Sequence, residues 1–144
     1  MKNLSENQIK SLPEVWRCAG GDALRRSLYP KKVRIKNKPD FILKLNAAIQ
    51  ACVVFDLNGT VYVVDAGGGV TAFSKDGQFV WGAKLDSGVF SSPARHPEKP
   101  ILYAGTAGGF VYAINTEDGK ILWKKQIFTA SDPRILSDIL YVQQ

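Results

Sequence analysis

From residue 41 onward the chain is a succession of short apolar runs, each stopped by glycine, asparagine or aspartate. Thr60–Val64 ("TVYVV") and Ile101–Gly105 ("ILYAG") are rich in β-branched and aromatic residues and are bounded by turn formers, as half-buried strands are. Asn58 and Gly59 ahead of the first run suit a two-residue hairpin turn, because both residues tolerate positive φ. Asp76-Gly77 and Asp118-Gly119 do the same for later runs, and Gly67–Gly69 and Gly108-Gly109 supply the turns between. Three turns per unit predict four strands joined as a meander.

The unit recurs. Val63–Trp81 ("VVDAGGGVTAFSKDGQFVW") returns as Ala104–Trp123 at an offset of 41 residues, which becomes 42 after one extra residue in the "NTEDG" turn. Trp81–Leu85 followed by Phe90–Pro93 aligns with Phe41–Leu45 followed by Gln50–Val53. Downstream, Ser131–Pro133 and Leu140–Val142 echo Ser91–Pro93 and Leu102–Ala104. A period near 41 lies in the range of four-stranded propeller blades. The expected fold is all-β, a partial β-propeller of about two and a half four-stranded antiparallel blades. Full blades are expected over about 49–85 and 89–127, with a partial third from 131, after an irregular lead-in over residues 1–40. In that lead-in Ser5–Leu12 is predicted as a short helix ending near Pro13, and the first strand falls near Val33–Lys36 or Phe41–Leu45.

Within "AINTEDGKILW", alanine stands first (Ala113), glycine seventh (Gly119) and tryptophan last (Trp123). The copy Ala72, Gly77, Trp81 differs by one deletion confined to the turn. This pattern resembles the tryptophan-docking motif of PQQ-like β-propeller repeats, the family of the quinoprotein alcohol dehydrogenases and many cofactor-free relatives. Gly109–Ala113 ("GFVYA") and the Ser-Ser-Pro at 91–93 are also similar to that family, and the likeness covers roughly 41–142. Trp16–Pro30 resembles, more loosely, the segment that precedes a first blade. The resemblance implies that each indole stacks on the glycine turn of the adjacent blade. Ala72, Gly77, Trp81, Ala113, Gly119 and Trp123 are therefore expected to dock blades rather than to do chemistry. Two and a half units are fewer than the four to eight of a closed ring, so a piece of a larger propeller is expected, with a ring completed by several copies as the alternative.

Composition adds bounds. With 45% hydrophobic and 22% charged residues the chain is globular rather than disordered. No apolar run approaches the ~20 residues of a membrane span, and the polar N-terminus shows no leader, which predicts a cytoplasmic protein if the chain is complete. Cys18 and Cys52 are two unrelated thiols rather than a disulfide framework. Residues 1–45 hold eleven Lys/Arg against Glu6, Glu14, Asp22 and Asp40, while residues 46–144 hold eight against nine. The excess lies in Arg25–Lys38, where Arg25, Arg26, Lys31 and Lys32 are candidate contacts for an anionic partner, a nucleic acid not being favoured.

No catalytic constellation is visible. "AGGGV" at 66–70 sits between strands and lacks the spacing of a dinucleotide loop. His96 has no second histidine in the chain and no nucleophile near it in sequence. Asp65 is read as a turn cap, with a cation ligand at a channel mouth as the alternative. The resemblance allows pyrroloquinoline quinone and calcium only if the parent is a dehydrogenase, and no vicinal cysteine pair occurs here. The reading is a non-catalytic propeller segment serving as scaffold or protein-interaction surface, with no cofactor. A segment of a PQQ-dependent dehydrogenase and a basic segment binding an anionic partner are the alternatives.

Overall fold

In a computed structural model, residues 16–21, 37–127 and 134–139 are described. Eight strands follow in chain order: β1 (Val54–Phe55), β2 (Val61–Val64), β3 (Gly69–Phe73), β4 (Phe79–Lys84), β5 (Ala94–Arg95), β6 (Ile101–Gly105), β7 (Phe110–Asn115) and β8 (Ile121–Gln126). They form two four-stranded antiparallel meanders, β1-β2-β3-β4 and β5-β6-β7-β8. The fold is all-β, two consecutive blades of a propeller. Both sheets even break register at the same place, between Ala72 and Phe73 and between Ala113 and Ile114.

The alternation along each strand decides how the sheets stack. Tyr62, Ala72 and Trp81 lie opposite one another across β2, β3 and β4 and so share a face. They pack with Val54, Val64 and Val70 against Leu102, Ala104, Tyr112 and Ile114 of the second sheet. In the second sheet the equivalents of the first set are Tyr103, Ala113 and Trp123, aligned with each other and one position out of phase with Leu102 and Ile114. They occupy the opposite face. The two blades therefore stack front to back, as members of a ring, and not face to face as a sandwich.

The turns differ from the two-residue hairpins expected from the Asn-Gly and Asp-Gly signals. In Asp56–Thr60 the Asp56 carboxylate accepts from the amides of Asn58 (2.9 Å) and Thr60 (3.0 Å), and the Gly59 amide donates to the Asp56 carbonyl. Asp65 does the same for Gly67 and Gly69, and the Ser74 hydroxyl for Asp76 and Gln78. The side-chain oxygen at the first position caps the loop, and the positive-φ glycine at the fourth returns the chain to the next strand. Asp65 is thus a turn cap.

Two segments outside the sheets brace them. Trp16 exchanges two backbone hydrogen bonds with Phe55 of β1, and the Arg17 carbonyl accepts from the Arg95 amide of β5. Among the described residues Phe41–Leu45 joins no sheet ladder, which corrects the expectation of a strand there. Near the other end, Ile135 packs against Gly105, and the Ile139 amide donates to the Ser92 carbonyl. The helix expected at Ser5–Leu12, the strand alternative at Val33–Lys36 and the echoes at 131–133 and 140–142 lie outside the described residues.

Candidate functional site

The junction between the sheets is where the repeated residues converge. Trp81 projects from β4 over the β7–β8 turn, where its Nε1 donates to the Thr116 carbonyl at 2.8 Å. A Cβ on Gly119 would lie 2.6 Å from the indole Cε3, so the ring occupies the space a side chain would take. Only 5% of Trp81 remains exposed. Ala72, fully buried, faces it across the ladder and keeps the layer thin. Phe41 rests on Gly77 in the same manner, with its ring 2.7 Å from where a Cβ would be, yet stays 45% exposed.

Trp123 repeats the geometry without the contact. Its ring centroid is 5.9 Å from that of Tyr103 at 41°, against 6.0 Å and 38° for Trp81 and Tyr62. The sheet itself sets the indole in place, because the pair keeps its arrangement where nothing described covers it. Trp123 is 44% exposed, and Ile121 and Leu122 beside it are exposed as well.

A second cluster lies on the rim between the blades. The Tyr62 hydroxyl donates to Asp56 Oδ2 at 2.9 Å, and burial, then the Asp56 hydrogen bond and charge, push the phenol up to about 12. His96 stands where Asp56 stands one blade earlier, since Val54 pairs with Tyr62 as Ala94 pairs with Tyr103. Its Nδ1 accepts from the amides of Glu98 (3.1 Å) and Lys99 (3.0 Å), so the imidazole does the capping done elsewhere by a carboxylate. That task requires an unprotonated Nδ1. Burial, then the Lys99 charge, hold the pKa of His96 below its ordinary value of 6.5.

A pH dependence follows. The unfolded chain takes up the proton first as pH falls below about 6.5, so the contribution of His96 is complete above that value and declines toward the lower folded pKa. Urea midpoints measured from pH 7 to pH 5 are expected to fall more steeply for the wild type than for His96→Asn, which keeps an acceptor and cannot titrate. Parallel slopes would remove His96 from the account of acid stability.

Cys18 is buried and Cys52 exposed. Arg25, Arg26, Lys31 and Lys32 lie outside the described residues. No described helix is long and apolar enough to cross a membrane. Among the described residues no three His, Cys, Asp or Glu side chains converge as a metal site would require. Phe41, Tyr62, Arg95 and His96 were not legible as site residues. The repeat alignment does carry a signal for two of them, because Arg95 and His96 replace Phe55 and Asp56.

Two stacked four-stranded meanders, with a tryptophan of one on a glycine turn of the next, define a β-propeller of PQQ-like repeats. Residues 43–144 match the family described as outer membrane protein assembly factor BamB, and the chain belongs to that family. Among solved structures it is similar to BamB from Moraxella catarrhalis, at 15% identity and a TM-score of 0.52 over 57% of this chain and 25% of that one. It is also similar to the quinohemoprotein alcohol dehydrogenases ADHIIG of Pseudomonas putida HK5 (17%, TM-score 0.65, 91% of this chain) and of Comamonas testosteroni (16%, 0.63, 88%). In both, this chain covers 22% of the other chain, so it spans a quarter or less of these proteins. At such identities the likeness is one of fold. No curated protein matches the chain.

Proposed function

We propose that these blades serve as a non-catalytic scaffold and protein-interaction surface, with Ala72, Gly77, Trp81, Ala113, Gly119 and Trp123 as docking residues. The observation that carries this reading is the Tyr103–Trp123 pair, which repeats the Tyr62–Trp81 pair of the layer between the two blades, with Trp123 44% exposed. A large, flat, preset indole with a free polar edge is what a partner surface needs, because little side-chain order is lost on contact. The family description, an assembly factor, supports a protein partner over a small-molecule substrate.

The enzymatic alternative has its own test. Titration of the full chain with pyrroloquinoline quinone in the presence of Ca²⁺, followed by absorbance, is expected to give no saturable spectral change. Saturable binding would replace the scaffold reading with that of a dehydrogenase segment. The basic segment at Arg25–Lys38 remains a proposal resting on sequence, with a steep salt dependence of anion binding as its mark.

A further inference from the structure

Arg95 is the residue that the architecture does not explain. Its counterpart in the first blade, by the strand register, is Phe55. Both positions give their backbone to the N-terminal brace, Phe55 to Trp16 and Arg95 to Arg17, so the scaffold asks for an amide here and not for a guanidinium. Nη1 of Arg95 donates to the His96 carbonyl at 2.8 Å, while its buried Nε has no hydrogen-bond partner. Asp56 borders the same clefts as Arg95, its Oδ1 accepting from Asn58 and Thr60 and its Oδ2 from Tyr62. Two clefts of about 270 Å³ each meet at Asp56, Asn58 and Arg95, one extending to Thr116 and Glu117 and the other to Arg17 and Glu98.

A partly buried cation placed against the repeat pattern, lacking a carboxylate partner among the described residues and bordering a cleft, is the arrangement of a ligand anchor. We propose that this rim cleft binds a monocarboxylate through the Nε edge of Arg95. A planar carboxylate matches that edge bidentately, and because Nε is buried in the resting conformation the guanidinium has to turn toward the cleft, against its Nη1 bond to the His96 carbonyl, for the pairing to form. Asp56, Glu98 and Glu117 line the same space and oppose any anion there, the more so the higher its charge, which disfavours phosphate, sulfate and polycarboxylates relative to a single carboxylate held by Arg95 with Arg17 nearby. The carboxylate comes either from a small organic acid or from a Glu side chain of a peptide. The proposal does not depend on the interaction-surface reading, because it concerns the opposite side of the second blade from Trp123.

The test uses the ¹⁵N-labelled full chain and its Arg Nε–H and backbone amide signals. Sodium acetate and acetyl-glutamate amide are titrated separately, with sodium chloride and sodium phosphate at matched ionic strength. The Arg95 Nε–H and the Asn58 and Thr60 amides are expected to move saturably with a carboxylate and not with chloride or phosphate. Acetate alone acting identifies a small acid as the source, and tighter binding of acetyl-glutamate amide identifies a peptide. Arg95→Gln is expected to weaken the binding by about tenfold or more, the weight of a charge-assisted hydrogen bond. Arg95→Phe, which restores the residue of the first blade, is expected to abolish binding while keeping or raising the urea midpoint. Equal shifts in all four salts, or binding unchanged in both variants, would overturn the proposal.

Discussion

Replacing Trp81 by alanine is expected to cost about 3–5 kcal/mol of stability, whereas the same change at Trp123 should cost about 1 kcal/mol. The two tryptophans hold the same position in their repeats and nearly the same tilt against a tyrosine, so local geometry does not separate them. Packing does. Trp81 fills the layer between two sheets, and its loss leaves a cavity and an unpaired Thr116 carbonyl. Trp123 loses its contact with Tyr103 and little else among the described residues. Urea unfolding of the two variants beside the wild type checks the difference, and equal costs would show that Trp81 does not hold the blades together.

Gly119→Ala is the complementary change. At φ +75° an L-residue pays about 1–2 kcal/mol for the left-handed conformation. The new methyl would also sit 2.6 Å from an indole carbon held by the Thr116 hydrogen bond, and crowding of this kind costs a further 1–3 kcal/mol or so. A total loss of about 2–5 kcal/mol is expected. In a Trp81→Ala background the steric part disappears, so the same substitution should cost only about 1–2 kcal/mol. A double-mutant cycle in urea reads the coupling directly. Additive costs would mean that the indole and the turn do not press on each other.

Much of this architecture was legible in the chain because a propeller repeats its local chemistry. The recurrence of Ala72, Gly77 and Trp81 as Ala113, Gly119 and Trp123 marked the unit, and three turns per unit gave the meander that the two sheets adopt. What the alternation leaves open is which face meets which neighbour. Tyr62 and Tyr103 read alike in sequence, yet Tyr62 is sealed between the blades and Tyr103 lies half-buried on the opposite face of the second sheet. The turns were placed well but typed wrongly at Asn58-Gly59, because the capping oxygen of Asp56 stands outside the dipeptide that carries the signal. Phe41–Leu45 aligned with a strand by its apolar pattern, but it has no ladder partner among the described residues and contributes its ring to the Gly77 turn instead.

His96 and Arg95 show a different limit. As single residues they carry no motif, and a lone histidine in a proline-flanked loop invites no assignment. Their meaning comes from register: His96 takes over the cap of Asp56, and Arg95 puts a charge where Phe55 has a ring. Departures from an internal repeat are thus the places where this sequence says more than its fold requires.

Indole hydrogen exchange tests the docking of the blades most directly. The Nε1–H signals of Trp16, Trp81 and Trp123, assigned by single Trp→Phe variants, are followed after transfer to D₂O. The Trp81 proton, buried and bonded to the Thr116 carbonyl, is expected to exchange only through the opening of the two sheets, with protection near that of the slowest strand amides. The Trp123 proton is expected to be lost within the first spectra. Comparable exchange at the two positions would contradict the docking of one blade on the next through Trp81.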